Sequence, residues 1–272
     1  MKVLILAFDG LEHDLVIKWR LRNIMQVKYG KYPAPKSPKH GKPHTPSAWI
    51  SFITGKDANV HGIDDWWTYG KILDWVRYKP PFIWIKNKRK ILWRLGLRPK
   101  PRLYNKKDLK YSTVFEVIKP SIPLFIPGYN EPSEIHYELN RALEKGISTY
   151  EKAIWKIYEY RVKVLFESLN KEWRLLMCWF GIADLMGHIH MCRPWKLMKA
   201  YFALDRLAKE IRASIDKDVF LLIVSDHGMK LMSDGTGDHS ESGFYSISKP
   251  IEWFKPKKIT DFYNLILKLV KT

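Results

Sequence analysis

The sequence contains few cysteines, few acidic residues and no long apolar run. Its two cysteines, Cys178 and Cys192, exclude a disulfide-stapled secreted domain. The N-terminal apolar run in "KVLILAF" stops after six residues at Asp9, and no small-residue cleavage site follows it. No stretch approaches the roughly 18 apolar residues of a membrane-spanning helix. These absences predict a soluble, cytoplasmic protein without a membrane span.

The shortage of acidic residues makes the chain strongly basic. In 272 residues, 47 Lys and Arg stand against 28 Asp and Glu, a formal charge of +19. Fourteen of the basic residues, with only two acidic ones, lie between positions 71 and 110. Such charge attracts phosphorylated substrates, nucleic acid or acidic membranes, although a solvated Lys- and Arg-rich surface has the same composition. The 46% of hydrophobic residues is sufficient for a packed core and excludes a disordered chain.

Four apolar runs of strand length alternate with amphipathic helical patterns. Continuous apolar strands are typical of a sheet covered on both faces, and this alternation predicts an α/β fold with a mainly parallel sheet. The runs span residues 2–8, 121–127, 174–180 and 219–224. The main helical patterns span residues 132–173, with Gly146 as an expected break, and 194–215.

A segment rich in Trp, Lys, Arg and Pro interrupts the alternation. We expect residues 66–111 to form a basic, Trp-rich insertion or cap over a catalytic core made of 1–65 and 112–272. An irregular surface excursion without a binding role is the alternative. Aromatic and basic side chains together also suit single-stranded nucleic acid, so a nucleic-acid-binding protein without catalysis is a second interpretation. Three tryptophans spaced by nine residues support either view: Trp75, Trp84 and Trp93.

Metal-binding residue types follow the apolar runs. Asp9 comes directly after the first run, and Asp226 and His227 follow the last run after Ser225. In open α/β sheets, functional groups gather beyond the carboxyl ends of the strands. His239 follows in a Gly-rich loop that can turn back towards them. Each residue alone could belong to an ordinary polar turn.

Two further places carry polar residues with suggestive spacing. Asp184 and His188 are four apart, which puts both on one face of a helix, whereas His190 would point elsewhere. Thr45 precedes Pro46 and an apolar helical pattern. It is either an N-cap worth about 1 kcal/mol or a nucleophile at a helix N-terminus that favours phosphate. An unactivated Thr hydroxyl is a poor nucleophile, and a metal ion on its oxygen would change that.

Together these motifs resemble the type I phosphodiesterase/nucleotide pyrophosphatase family of the alkaline phosphatase superfamily. The matching stretches are "FDG", "TPSAWISFITGKDANVHGI", "ADLMGHIH", "LDRLAKEI", "VSDHGM" and "GDHSESGF", in the family's order. Residues from about 66 to 170 match little of the family pattern. The resemblance implies an alkaline-phosphatase-like three-layer α/β/α core.

The resemblance also implies a site with two divalent metal ions, Zn²⁺ by preference, with Mn²⁺ or Fe as alternatives. One ion would be held by Asp9, Thr45, Asp226 and His227. The other would be held by Asp184, His188 and His239. Thr45 is the implied nucleophile with Ser47 as its rival, and His61 supports the structure rather than binding metal.

The expected activity is two-metal hydrolysis of phosphodiesters or nucleotide pyrophosphates through a phosphothreonine intermediate. The partner would be a small phosphate ester or nucleotide, while nucleic acid remains an alternative partner. Phosphomonoesterase or phosphomutase activity is the alternative within the superfamily, since the basic segment could neutralise additional phosphate charge. A sulfatase is disfavoured because no Cys/Ser-x-Pro-x-Arg motif lies near position 45. The sequence assigns neither substrate-binding residues nor an oligomeric state.

Overall fold

The computed structural model describes residues 1–70, 100–271 and, between them, 73–75, 80, 84–85, 87, 91, 94 and 96. The strands are β1 Val3–Phe8, β2 Lys28–Pro33, β3 Trp67–Thr68, β4 Arg102–Leu103, β5 Ser121–Leu124, β6 Leu175–Phe180, β7 Phe220–Val224, β8 Met229–Leu231, β9 Gly237–His239 and β10 Ser242–Ile247. The helices are α1 His13–Lys18, α2 Arg22–Met25, α3 Thr45–Thr54, α4 Ala58–His61, α5 Val114–Val117, α6 Ser133–Glu144, α7 Ile147–Leu169, α8 Ile182–His190, α9 Pro194–Ser214 and α10 Asp261–Lys271.

A six-stranded sheet forms the centre of the fold, in the order β2-β10-β7-β1-β6-β5. Strands β7, β1, β6 and β5 pair in parallel, and β10 pairs antiparallel with both β7 and β2. Every residue of β1, β6 and β7 is buried, which explains why these strands are continuous apolar runs. The predicted α/β fold with a mainly parallel sheet is therefore confirmed.

Helices cover both faces of the sheet and give it three layers. Alternate residues of β1 point to opposite faces, so Leu4 packs with one apolar cluster and Ile5 with the other. The first cluster is covered by α1, α2, α6, α7, α8 and α9, and the second by α3, α5 and α10. Gly146, at φ 107°, separates α6 from α7 where the sequence predicted a break.

The predicted insertion is described mainly at its two ends. Its first residues and its last residues meet in the β3–β4 pair, in which Trp67 lies opposite Leu103. Nineteen residues between positions 71 and 99, including Trp93, lie outside the described residues, so the cap, its boundaries and a nucleic-acid surface stay predictions. In the part of the chain that the structure describes, no helix combines the length and apolarity needed to cross a bilayer.

Candidate active site

The carboxyl ends of β1 and β7 place three polar residues at the centre of the molecule. Asp9 directly follows β1, and Asp226 and His227 are the second and third residues beyond β7. All three are almost completely buried, as is Thr45 on the neighbouring helix. Parallel neighbours deliver their ends to the same edge of the sheet, so these residues meet although up to 218 positions separate them in sequence.

Thr45 begins α3, and its side chain faces these strand ends. The cap residue of α3 is His44, so the alternative interpretation of Thr45 as an N-cap is wrong. Thr45 Oγ1 instead lies 3.4 Å from Asp9 Oδ1 and 3.3 Å from His227 Nε2. His227 Nε2 is also 3.3 Å from Asp9 Oδ1 and 3.4 Å from Asp226 Oδ2. We call Asp9, Thr45, Asp226 and His227 the first ligand group.

A second ligand group consists of Asp184, His188 and His239. Asp184 and His188 lie one turn apart on α8, and His239 ends β9. Asp184 Oδ1 is 3.3 Å from His188 Nε2 and 3.4 Å from His239 Nε2, and the two imidazole nitrogens are 3.2 Å apart. Gly10 permits this position, because a Cβ there would lie 2.6 Å from the Asp184 Cα.

The two groups adjoin each other. The His227 and His239 rings stack with centroids 3.7 Å apart, and the Asp184 amide donates to the Asp9 carbonyl at 3.1 Å. The structure thus brings all seven sequence-predicted site residues into two adjacent groups. Their roles as ligands and nucleophile stay predictions.

The three histidines share an orientation that leaves one nitrogen free to bind metal. Nδ1 of His188 lies 2.8 Å from the Gly237 carbonyl, Nδ1 of His239 lies 2.7 Å from the Pro43 carbonyl, and Nδ1 of His227 lies 3.1 Å from a third carbonyl, that of Gly228. A carbonyl only accepts, so each Nδ1 must carry the proton and donate it. Whenever the ring is neutral, Nε2 therefore presents its lone pair towards the ligand group, the arrangement typical of metal-binding histidines.

Buried charge dominates the electrostatics of both groups. Burial, together with the Asp226 and Asp184 carboxylates, raises the pKa of Asp9 well above its ordinary range, and burial does the same for Asp226. Burial lowers the pKa of His227 to about 3, so its imidazole is neutral at physiological pH. Attraction to the Asp184 carboxylate raises the pKa of His188 to about 9. Protons thus supply the positive charge that a cation would otherwise bring.

Two observations fit these residues to metal ions. Both carboxylate oxygens of Asp226 are buried without a hydrogen-bond partner among the described residues, a costly state unless a cation binds them. The second group's ligand atoms are separated by 3.2–3.4 Å. Neighbouring ligands on a tetrahedral ion with bonds of about 2.0–2.1 Å are separated by about 3.3 Å.

Three polar residues that the sequence left in doubt lie outside both groups. His190 Nε2 is 2.6 Å from Glu151 Oε1, as expected for a residue that points away from Asp184 and His188. His61 Nε2 lies 3.0 Å from Ser51 Oγ, and its Nδ1 accepts from the Ile63 amide, which ties α4 to α3. The Oγ of Ser47, the rival nucleophile, is buried and has no hydrogen-bond partner among the described residues.

The sequence did not predict one further cluster of metal-ligand types. His40, His44 and Asp65 offer ligand atoms within 4.8 Å of one another, and the two imidazoles stack at 4.4 Å. Asp65 is also bound by the Lys39 ammonium group, so a cation already occupies one side of this carboxylate. The His-x-x-x-His spacing of "HGKPH" was the available signal, but the pairing with Asp65 depends on tertiary structure.

A cavity of about 380 Å³ opens from the ligand groups towards α6 and α7. At the edge beside the ligand groups it is lined by Asp9, Thr45, Asp184, His188 and His239. Its remaining lining is largely aliphatic and aromatic, with Lys42, Glu131, His136, Asn140, Arg161 and Asp238 as the principal polar side chains.

Comparison with known proteins agrees with this geometry. A family model described as type I phosphodiesterase / nucleotide pyrophosphatase matches residues 3–244. Among solved structures, murine ectonucleotide pyrophosphatase / phosphodiesterase 5 aligns with a TM-score of 0.53 and 18% identity, over 86% of this chain and 58% of that one. Phosphonoacetate hydrolase from Sinorhizobium meliloti 1021, in complex with phosphonoformate, aligns with a TM-score of 0.52 and 15% identity, over 88% of this chain and 59% of that one.

A third similar structure extends over the whole chain. TAB5 alkaline phosphatase with bound Mg aligns with a TM-score of 0.54 and 11% identity, over 99% of this chain and 97% of that one. At such identities the three structures show a shared alkaline-phosphatase-like fold. The chain spans less than two thirds of the length of the first two proteins. No curated protein matches the sequence at a significant level.

Proposed function

Because this chain belongs to the type I phosphodiesterase/nucleotide pyrophosphatase family, we propose that it hydrolyses phosphodiesters with two divalent metal ions and Thr45 as nucleophile. The observation that carries the proposal is the position of Thr45 Oγ1, 3.3–3.4 Å from His227 Nε2 and Asp9 Oδ1. A hydroxyl surrounded by metal-ligand atoms at the start of a helix is placed to be activated and to meet a phosphate.

The two ligand groups would hold one ion each. Asp9, Thr45, Asp226 and His227 would bind the first, and Asp184, His188 and His239 the second. Their mixed carboxylate and imidazole donors suit Zn²⁺ best, with Mn²⁺ and Fe as alternatives. When bound, the ions would supply Lewis-acid stabilisation of the attacking and leaving oxygens and favour the ionised Thr45 hydroxyl.

The chain's own residues account for the rest of the reaction. The Thr45 hydroxyl donates to Asp9 Oδ1, which can take its proton as the Thr45 oxygen forms a bond to phosphorus. The bond between phosphorus and the leaving oxygen breaks, that oxygen takes a proton from solvent and departs as an alcohol, and Thr45 carries the phosphoryl group with its remaining ester. Water then forms a new bond to phosphorus, the Thr45–phosphorus bond breaks, and a proton from that water returns to the Thr45 oxygen. Amide groups in the first turn of α3 would stabilise the negative charge on the phosphoryl oxygens.

The test compares bis(p-nitrophenyl) phosphate with p-nitrophenyl phosphate, with Zn²⁺ or Mn²⁺ added. Thr45→Ala should lose at least about 1,000-fold in kcat on the diester, as expected when a nucleophile is removed. Thr54→Ala is the matched control, since Thr54 ends the same helix and its hydroxyl, which donates to the Ile50 carbonyl and accepts from the Lys56 amide, contacts neither ligand group. Equal activity of Thr45→Ala and wild type would overturn the nucleophile assignment.

The same assay decides between a diesterase and a monoesterase. A monoester carries one more negative charge, and a site for it needs an additional free cation. The two cationic side chains lining the described cavity are already paired, Lys42 with Asp238 and Arg161 with Glu131. We therefore expect the diester to be preferred, and a strong preference for the monoester would favour phosphomonoesterase or phosphomutase activity instead.

A further inference from the structure

Glu12 lies three residues after Asp9 and contacts the segments that follow two other candidate ligands. We propose that Glu12 is a positioning residue of the metal centre, whose carboxylate holds the segments of Asp9, His227 and His239 together. This inference rests on the proposed function, because it concerns the two ions of that site. Glu12 itself belongs to neither ligand group.

The Glu12 carboxylate bridges two segments through a single oxygen. Its Oε2 accepts from the Met229 amide at 3.1 Å and from the Ser240 hydroxyl at 2.7 Å. Met229 is two residues beyond His227, and Ser240 directly follows His239. The carboxylate therefore joins the segment that leaves the first ligand group to the segment that leaves the second.

The two bridged segments also bond to each other at Gly228. The Gly228 carbonyl accepts from the Ser240 amide at 2.8 Å and lies 3.1 Å from Nδ1 of His227. A Cβ at Gly228 would collide with Glu12 Oε2, so glycine allows the carboxylate to approach this closely. The stacking of the His227 and His239 rings thus depends on one compact junction that includes Glu12.

The backbone beside the Glu12 side chain is fixed from two sides. The Glu12 amide donates to the Tyr201 hydroxyl of α9 at 2.8 Å, and Tyr201 is completely buried. The Leu11 amide donates to the Ser225 hydroxyl at 2.9 Å, and Ser225 directly precedes Asp226. A carboxylate on such a backbone has little freedom to move, so it fixes the position of one ligand segment relative to another.

Metal affinity depends on such contacts behind the ligands. A ligand segment that is held in place before the ion arrives loses less conformational freedom on binding. Removing an outer partner of this kind typically costs 10- to 100-fold in metal affinity. Because His227 and His239 belong to different ligand groups, the loss of Glu12 should weaken the binding of both ions and not of one alone.

The direct test titrates metal-free wild type and Glu12→Ala with Zn²⁺ against a chromophoric chelator. We expect both ions to bind about 10- to 100-fold more weakly to the variant. The visible absorption of the Co²⁺-loaded protein, which reports the ligand geometry, should also change.

The alternative is a purely structural role, because Glu12 Oε1 also caps α1 by accepting from the Asp14 amide at 3.3 Å. Loss of a cap lowers the stability of the metal-free protein, but it leaves the Zn²⁺ affinities and the Co²⁺ spectrum at their wild-type values. That combination of results would overturn the inference.

Two milder variants test the bridge even if Glu12→Ala folds poorly. Glu12→Gln keeps an oxygen that can accept both hydrogen bonds, so it should retain most of the Zn²⁺ affinity. Ser240→Ala removes one of the two bonds and should weaken Zn²⁺ binding to a smaller extent. A wild-type affinity in Ser240→Ala, or a loss in Glu12→Gln as large as in Glu12→Ala, would contradict the hydrogen-bonded bridge.

Combining the changes at the two ends of the bridge measures their coupling. Glu12→Ala already breaks the contact with Ser240, so the double variant Glu12→Ala/Ser240→Ala should bind Zn²⁺ as Glu12→Ala does. Fully additive losses of affinity would show that the two side chains act independently, which would overturn the inference.

Glu241→Ala is the matched control. Glu241 directly follows Ser240, but its side chain is 66% exposed and pairs with Lys36 at 3.0 Å, outside both ligand groups. Glu241→Ala should bind Zn²⁺ like wild type, and a loss equal to that of Glu12→Ala would reduce the effect to overall charge and overturn the inference. If Glu12→Ala binds Zn²⁺ like wild type, the inference alone fails. If wild type itself binds none, the proposed function fails with it.

Discussion

Replacing Asp226 by Asn should stabilise the metal-free protein at alkaline pH and destabilise the metal-loaded protein. Asp226 is completely buried, and burial is the main reason that its pKa rises from 3.8 to about 8. A carboxyl group with a raised pKa in the folded state contributes its full stability below the unfolded pKa of about 3.9. That contribution is lost as the pH rises through about 8, because the folded protein must then ionise a buried carboxylate.

The size of this stability change follows from the pKa shift of Asp226. About four pKa units correspond to an upper limit of roughly 6 kcal/mol, at about 1.36 kcal/mol per unit. Relaxation and water penetration reduce such penalties, so we expect about 2–3 kcal/mol at pH 9. Asn carries no charge at any pH and avoids this penalty. With Zn²⁺ present, Asp226→Asn should lower the free energy of unfolding instead of raising it. The variant loses about 1.4 kcal/mol of metal-linked stability for each tenfold loss of metal affinity.

Urea unfolding gives the free energy of unfolding of wild type and Asp226→Asn under four conditions: pH 5 and pH 9, each in EDTA and in saturating Zn²⁺. Asp234→Asn is the control, since Asp234 is an exposed loop residue hydrogen-bonded to Thr236. Its effect on the free energy of unfolding should not change sign when Zn²⁺ is added. The reasoning is refuted if Asp226→Asn destabilises the metal-free protein equally at both pH values. Such a result would mean that the buried carboxylate is stabilised without a cation.

Three further predictions concern neighbouring residues. His188→Ala should reduce bound Zn²⁺ from two ions to one per chain by elemental analysis, and retention of two would remove His188 from the ligand set. Gly10→Ala should weaken metal binding in calorimetric titration and lower stability by about 1–3 kcal/mol, because its φ is +68° and its Cβ would meet Asp184. A wild-type metal affinity would show that Asp184 can move. Arg161→Met should cost about 3–5 kcal/mol in urea unfolding, since it removes the guanidinium from the buried Glu131 carboxylate and leaves it only His136 as a partner, and Glu131→Gln added to it should restore part of the loss.

The parallel centre of the sheet was predictable because its strands are buried on both faces. A strand such as β6 contains only apolar residues, and no helical pattern competes with it. The edge strand β2, "KYGKYP", lacks this signal, since most of its residues are partly or fully exposed. Strand β10 was also missed, and it pairs with β7 through Tyr245 opposite Val224. Its antiparallel position depends on where the chain returns after β9, which no local pattern specifies.

The candidate ligands were predictable where a spacing or a strand end positions them. The four-residue spacing of Asp184 and His188 sets their common face, and the position of Asp226 after an apolar run sets its edge of the sheet. The cavity was not predictable in this way. It depends on the angle at which α6 and α7 lie over the sheet, and therefore on contacts between residues far apart in sequence.

The charge of the chain and the charge of the site have opposite signs, and this bears on how phosphate can bind. The formal charge is +19, but the centre around Thr45 holds the three carboxylates of Asp9, Asp184 and Asp226, all buried. Without metal these groups repel a phosphate whenever they are ionised, and basic residues elsewhere are screened beyond about 10 Å. Two divalent ions would bring four positive charges against three negative ones and make the centre cationic. Metal dependence should therefore be absolute, and residual diesterase activity in metal-free protein would contradict the two-metal proposal.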